Sequence, residues 1–260
     1  MYASKSLLSS DTPADSSVPQ SRKSPPGGRA SVSLALLPRK ICVADFTSEG
    51  ALKPVRKITN FAPGKVIGHF YSHKMSRHIP FESVPEAHFF CLLELDPEVV
   101  SYFAQPETIR YRLEGELRRY TPDVLVEHKS LSYIYYEVKP SGIAKHWHHT
   151  GKAEAIRLAF NDLGKIFIIV TTDFIEAQPQ LNNCLFLHRY GGLTVPATVE
   201  KEIVQKLKEY GACSISTLAE SLNLQSGLSF VYSLLFRNRL TFNKEELISP
   251  HTIVKLAYHG

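Results

Sequence analysis

Two neighbouring runs of strand-forming residues near the middle of the chain constrain its fold more than any other feature. The first, residues 120–127, contains Asp123 after a proline, and the second, residues 131–140, contains Glu137 and Lys139. Because side chains alternate between the faces of a strand, Glu137 and Lys139 share one face. If the two strands pair, Asp123 reaches the same place. Two carboxylates and one ammonium group can then hold a divalent cation and activate a water molecule for attack on phosphate.

The order of the other predicted elements indicates an α/β or α+β domain. Helices are predicted at 83–95 and 151–161, on either side of strands that begin with 108–113. A tight turn is predicted at 114–116, and the apolar run 165–171 predicts a strand buried on both faces. Together these elements predict a mixed sheet flanked by helices.

Three further stretches carry weaker patterns. The polar residues 71–77 predict a loop, and residues 98–103 predict a short extended or helical connection. Residues 185–190 predict one more element of undefined type. None of these stretches changes the predicted architecture.

Composition divides the chain into three predicted domains: residues 1–45, 46–192 and 193–260. The first is rich in Ser, Pro and Gly and is predicted to be a disordered basic tail. It is either a tether for nucleic acid or a partner, or simply a solvated segment. The second contains the mixed sheet.

The third predicted domain contains three helices and two short strands, an arrangement that resembles a winged helix-turn-helix. These elements are predicted at residues 199–210, 216–222, 226–237, 240–242 and 252–254. The last helix would occupy the recognition position for DNA. Its mostly apolar composition slightly favours docking to a protein, and both readings stay open.

Charge is distributed unevenly along the chain. The net charge is +5, but residues 1–40 contain six basic and two acidic side chains, so the remaining residues carry only +1. A protein that grips nucleic acid unaided usually carries a marked basic excess. We therefore expect a partner to supply much of any grip on DNA.

Cysteines and apolar runs indicate an intracellular protein without a membrane partner. The four cysteines lack the spacing of a zinc finger, so we predict reduced, mostly buried thiols. No apolar run is long enough to cross a bilayer, and the N-terminus lacks the apolar core of a signal peptide. The expected location is the cytoplasm.

The spacing of the acidic and basic residues matches a known pattern. Thirteen residues separate Asp123 from Glu137, which gives the Pro-Asp…(Asp/Glu)-x-Lys pattern of restriction-like nucleases. Residues 56–190 also resemble the TnsA family, the endonuclease subunits of heteromeric cut-and-paste transposition systems. That resemblance is carried by S-x-x-E at 83–86, E-x-D-P-x-V-V at 94–100, Gln-Pro at 105–106 and the segment 183–190.

The resemblance implies a restriction-endonuclease-like fold with Glu86, Asp123, Glu137 and Lys139 in the active site. Asp123 and Glu137 would bind Mg²⁺, with Mn²⁺ as a possible substitute, aided by the backbone carbonyl of Val138. Lys139 would orient the attacking water and offset charge in the transition state. Glu86 would hold a second metal ion or the water.

The resemblance also implies a function and partners. The chain would cut the non-transferred strand at the 5′ ends of a transposon in double-stranded DNA, giving 3′-hydroxyl and 5′-phosphate products. A DDE transposase, TnsB, would join the other ends, and the AAA+ regulator TnsC would contact the C-terminal region. The alternative is a non-catalytic adaptor that keeps a nuclease-like fold for binding DNA or partners.

Each site residue also has a structural alternative. Ser83 and Glu86 have the spacing of a capping box, in which the carboxylate only satisfies a backbone donor. Glu137 and Lys139 could belong to a solvated strand face, and Asp123 could be a turn residue before a strand.

Five basic or titratable side chains near these motifs are candidates for DNA phosphate contacts: Arg77, His78, Lys145, His146 and His149. Simple surface exposure is the alternative. The histidine-rich run 146–149 is not predicted to bind a metal ion, because no further ligand follows at suitable spacing.

Overall fold

The computed structural model describes residues 66–257, which fold into strands and helices along most of their length. The strands are β1 (Gly68–Ser72), β2 (Arg77–Phe81), β3 (Val99–Ala104), β4 (Ile109–Leu113), β5 (Glu116–Tyr120), β6 (Val124–His128), β7 (Tyr133–Lys139), β8 (Ile166–Thr171), β9 (Cys213–Ser214), β10 (Leu240–Phe242) and β11 (Ile253–Leu256). The helices are α1 (Val84–Leu95), α2 (Ser141–His149), α3 (Lys152–Asp162), α4 (Thr172–Ile175), α5 (Gln180–His188), α6 (Ala197–Tyr210), α7 (Ile215–Ser221) and α8 (Gly227–Phe236). The predicted tail, residues 1–45, and Cys42 lie outside the described residues.

A mixed sheet in the order β3-β6-β7-β8 carries the motif residues. β6 pairs antiparallel with β3 and with β7, and β8 runs parallel to β7. Val124 lies opposite Tyr136, so the predicted pairing of the two central strands is confirmed. The predicted mixed sheet flanked by helices is confirmed as well.

Helix α1 follows the prediction closely because local signals define both of its ends. Ser83 is the N-cap and accepts a hydrogen bond from the backbone N–H of Glu86. Pro85 lies in the first turn, where its missing N–H has no consequence. The backbone N–H of Asp96 closes the helix on the carbonyl of Leu92.

The sheet separates two apolar cores because successive residues of its strands face opposite sides. Val124 and Val126 pack with α1, whereas Leu125 packs on the other side with Ile156 and Phe160 of α3. The hairpin of β4 and β5 adds to the second core. Both faces of the central strands are thus covered, which holds the strands in one register.

Two sequence predictions need correction at the strands. The loop predicted at 71–77 is present at 73–76 as the turn of a hairpin, but residues 71, 72 and 77 belong to its antiparallel strands β1 and β2. The strand at 165–171 is not buried on both faces, because β8 lies at the edge of the sheet and Ile168 is 41% exposed. The undefined stretches become β3 and part of α5.

The C-terminal part contains α6, α7 and α8 with a three-stranded antiparallel sheet in the order β10-β11-β9. The predicted helices and hairpin therefore occur in the expected order, while the winged-helix assignment and the boundary at 193 remain predictions. Val231, Leu234 and Leu235 of α8 are buried in the core of this part. Packing within the chain thus explains most of the apolar composition that had favoured a docking role.

Three cysteines lie in the described part, where Cys91 and Cys184 are buried and Cys213 is half-buried, all with free thiols. Among residues 66–257, no helix is long and apolar enough to cross a membrane.

A buried carboxylate, Glu94, fastens the first hairpin to α1. It is 2% exposed, and its Oε1 accepts hydrogen bonds from the hydroxyls of Ser72 (2.5 Å) and Tyr102 (2.8 Å). Its Oε2 accepts from the backbone N–H groups of His73 (2.9 Å) and Lys74 (3.1 Å) in the hairpin turn. These four donors explain why a polar turn can lie against the core.

We expect Glu94→Ala to destabilise the protein, because it leaves four donors without their acceptor. The free energy of unfolding should fall by at least about 2 kcal/mol, measured by chemical denaturation. Asp162→Ala, at an exposed position on α3, is the matched control and should change it little. Equal stability of the two variants would contradict the anchoring role of Glu94.

Candidate active site

The start of β6 and the end of β7 lie side by side and bring the predicted trio together. The backbone N–H of Val138 donates to Asp123 Oδ2 at 2.8 Å. Lys139 Nζ lies 4.0 Å from the same oxygen and forms a close ion pair with Glu137 Oε1. Asp123, Glu137 and Lys139 therefore meet at one point, as the strand alternation predicts.

Glu137 is buried although it is charged. It is 3% exposed, and Tyr120 donates its hydroxyl to Glu137 Oε2 while Lys139 occupies Oε1. The alternative of a solvated strand face is therefore wrong for Glu137. Burying a carboxylate is expensive unless it is paired and hydrogen-bonded, and both conditions are met here.

Glu86 enters the same site from the first turn of α1. Its carboxylate accepts from Ser83 Oγ (2.8 Å) and from the backbone N–H of Glu82 (2.9 Å). The capping box is thus present, but it does not remove Glu86 from the cleft, which Asp123 and Lys139 also line. The same carboxylate can serve the helix end and the site.

Gln105 links the two sides of the site. Its backbone N–H donates to the carbonyl of Asp123 (2.8 Å), and its side-chain amide donates to Glu82 Oε1 (2.8 Å). Gln105 has a φ of 47°, a conformation that non-glycine residues seldom adopt. The Gln-Pro pair of the sequence therefore has a role in joining the start of β6 to the start of α1.

An open cleft of about 760 Å³ surrounds the trio. Among the side chains of this cleft that the sequence did not indicate are Arg119, Trp147 and Lys152. Lys152 Nζ lies 3.9 Å from the centre of the Trp147 ring, and Lys139 Nζ lies 5.1 Å from it. The chain contains a single tryptophan, within the histidine-rich run, and this was the one available signal.

Carboxylates lie close together in this site and are partly shielded from solvent, and both conditions shift pKa values there. Burial, and then the charge of Asp123, raise the pKa of Glu86 from 4.5 to about 7. Burial, and then Glu137, raise the pKa of Asp123. Burial alone would lower the pKa of Lys139, but the attraction of Glu137 and Asp123 outweighs it and raises that pKa. One ammonium group thus incompletely compensates three carboxylates.

The donor set of the cleft fits a divalent cation with a preference for oxygen. Glu86, Asp123 and the Val138 carbonyl, which accepts from Lys139 Nζ at 3.3 Å, could hold Mg²⁺ or Mn²⁺. In the described part of the chain, no three His, Cys, Asp or Glu side chains are already gathered as ligands. Glu137 would have to exchange its contact with Lys139 or Tyr120 in order to join them.

The predicted phosphate contacts are in different environments. Lys145, His146 and His149 are exposed on α2, which begins directly after the active-site strand. His78 is exposed on β2, distant in sequence from that helix.

Arg77 instead packs within the fold. Its guanidinium lies 4.7 Å from the centre of the Phe103 ring and donates to the carbonyl of Tyr102 at 3.3 Å. These contacts give Arg77 a packing role in the structure.

We expect Asp123→Asn to stabilise the metal-free protein, because an uncompensated charge is lost while an oxygen remains for Val138 N–H. A raised carboxylate pKa means that the folded state binds protons more tightly than the unfolded chain. For Glu86, stability of the metal-free protein should therefore fall as pH rises from about 4.5 to about 7. The variant should lessen this fall, because it removes the charge that helps to raise the pKa of Glu86.

Thermal unfolding with EDTA or Mg²⁺ checks this prediction. Above neutral pH, the variant should melt at a higher temperature in EDTA and gain less from Mg²⁺ than the unaltered protein. Asp162→Asn on α3 is the control and should behave like the unaltered protein. An unchanged response of Asp123→Asn to Mg²⁺ would count against a cation site at Asp123.

Comparison with known proteins connects this site to one family. Residues 96–172 match the family model described as "TnsA-like endonuclease N terminal". A search of curated proteins gave no match. The matched residues include Asp123, Glu137 and Lys139, whereas Glu86 precedes them. The match supports a nuclease subunit of a Tn7-type system. Over residues 96–172, this chain is therefore similar to TnsA-like endonuclease N-terminal domains.

Proposed function

We propose that this chain is the metal-dependent DNA endonuclease subunit of a heteromeric, Tn7-like transposase. It would cut the non-transferred strand at the 5′ ends of a transposon during cut-and-paste transposition. The convergence of Asp123, Glu137 and Lys139 in an open cleft is the observation that carries this proposal. The family match of the same residues supports it.

Mg²⁺, or Mn²⁺ in its place, would be held by Glu86, Asp123, Glu137 and the Val138 carbonyl. When bound, the ion would supply positive charge that stabilises the negative charge developing on the phosphate during the displacement. Asp123 is fixed for this task because Val138 N–H holds one of its oxygens. Glu86 reaches the cleft from a helix end whose cap holds its side chain.

Lys139 would orient the water molecule and favour its deprotonated form. Its ammonium group is fixed by Glu137 and is itself held protonated by the surrounding carboxylates. The water oxygen would attack phosphorus, and the bond from phosphorus to the 3′ oxygen would break. The products are a 3′-hydroxyl and a 5′-phosphate. A positioned cation next to the attacked phosphate is worth most in a site shielded from water.

Placement of the DNA would depend on partners. The net charge of +1 outside residues 1–40 is small for a protein that must hold a polyanion alone. TnsB, the DDE transposase, would deliver double-stranded transposon ends, and TnsC would contact the C-terminal region. The order of α6, α7, α8 and the small sheet is compatible with a winged-helix module for such contacts.

A non-catalytic adaptor is the second candidate. The capping contacts of Glu86 favour it to the extent that they give this residue a purely structural task. The burial of Glu137 beside Lys139 argues against it, since an adaptor has no need of a charge cluster that destabilises the fold.

We expect Asp123→Ala to abolish cutting of transposon-end DNA in a reaction that contains the transposase and Mg²⁺. Lys139→Ala should slow cutting by roughly two to three orders of magnitude, as for loss of a group that stabilises a transition state. Lys129→Ala, at an exposed turn, is the control. Single-turnover assays with strand-labelled DNA measure the result.

Persistence of double-strand excision with Asp123→Ala would show that the chain is not the nuclease, and would favour the adaptor. Cutting by Lys139→Ala at the unaltered rate would disprove only the role of that lysine. Products with a 3′-phosphate would contradict the proposed direction of attack.

Tyr120→Phe tests the support of Glu137 without removing a ring from the core. The lost hydroxyl leaves Glu137 Oε2 without its donor, so the carboxylate should be oriented less well. Metal affinity or the cutting rate should fall by about 10–100-fold. Tyr111→Phe, on the neighbouring strand, is the control, and a similar loss in both variants would indicate general damage to the core.

A further inference from the structure

The hairpin of β4 and β5 presents arginines on its outer face. Ile109, Tyr111 and Tyr120 pack their side chains into the core on the inner face. Because strand side chains alternate, Arg110 and Arg112 of β4 point outward, as does Arg119 of β5. All three are exposed. We call Arg110, Arg112 and Arg119 the arginine face.

The arginine face is electrostatically unfavourable in the chain by itself. Arg110 and Arg119 are directly opposite in the antiparallel register, and like charges in such a pair destabilise a hairpin. Within residues 66–257 no ion pair engages any of the three arginines. The hairpin's turn carboxylates, Glu114 and Glu116, pair instead with Arg118.

The arginine face is continuous with the active-site cleft. Arg119 lines the same cleft as Asp123 and Lys139. Lys152 lines it as well, and its pKa is lowered by burial and by Lys139. A polyanion bound at the cleft would therefore meet the arginine face at its wall, and its charge would relieve the repulsion between Arg110 and Arg119.

We propose that the arginine face binds the phosphate backbone of duplex DNA beside the cut position. This inference rests on the proposed nuclease function and names the surface through which the substrate is held. Guanidinium groups suit phosphate because their planar donors match its oxygens. Contacts of this kind position DNA without reading its sequence, which agrees with a nuclease whose partner selects the site.

Binding of the full chain to a short labelled duplex of arbitrary sequence, in EDTA over a series of salt concentrations, tests the proposal. Each phosphate contact contributes about one unit to the slope of log affinity against log salt. The combined variant Arg110→Gln, Arg112→Gln, Arg119→Gln should therefore reduce the slope by about three units. Arg119→Gln alone should reduce it by about one unit.

A matched control removes the same charge elsewhere. Lys129, Lys201 and Lys208 are exposed on the β6–β7 turn and on α6, and their combined change to Gln should leave the slope unchanged. Arg→Lys at the three hairpin positions should keep most of the slope. The hairpin variant should melt no lower than the unaltered protein, because repulsion between Arg110 and Arg119 is removed.

Polyglutamate, an acidic polypeptide, is the second probe. Three outcomes would overturn the proposal: equal slopes in the hairpin variant and the control, no binding of the unaltered chain to DNA at the lowest salt, or a hairpin variant that binds polyglutamate more weakly but DNA as well as before. The last result would assign the arginine face to an acidic protein.

Cutting assays that include the transposase separate the arginine-face proposal from the proposed nuclease function. Cutting by the unaltered chain together with equal slopes contradicts only the arginine face. A reduced slope in the hairpin variant, together with no cutting by the unaltered chain, contradicts only the nuclease function.

Discussion

The register between β6 and β7 is the constraint on which the site depends. With Val124 opposite Tyr136, Asp123 and Glu137 fall at the same end of the sheet and on the same face. A slip by one residue would turn Glu137 and Lys139 toward α1 and bring an apolar side chain into the cleft. Packing on both faces, by α1 and α3, opposes such a slip. The chemistry of the cleft is thus held by the apolar cores.

The site concentrates negative charge that the fold compensates only in part. Lys139 is the nearest cation, and Tyr120 and Val138 N–H supply hydrogen bonds to the carboxylates. Glu94, farther along the same helix as Glu86, is by contrast fully engaged by four donors. One acidic group in α1 stabilises the fold, whereas the other retains raised proton affinity. Incomplete compensation is typical of sites that bind a cation or react.

Local signals predicted the parts of this structure that depend on local chemistry. The cap at Ser83 and the alternation of Glu137, Val138 and Lys139 required only neighbouring residues. The β1–β2 hairpin could not be predicted, because its polar turn is stabilised by Glu94, about twenty residues away. Arg77 shows the same limitation, since only the fold reveals that Phe103 covers its guanidinium.

The position of Trp147 makes the cleft optically distinct. It is the single tryptophan of the chain, it is 9% exposed, and two lysine ammonium groups face its ring. Indole emission responds to nearby charge and to water, so the tryptophan fluorescence of this protein, as distinct from that of its twelve tyrosines, originates beside the reacting groups. Arrival of a cation or of a phosphate chain would alter the charge and hydration around this ring and thereby change that emission. The chain therefore contains its own label for following the loading of the cleft in real time.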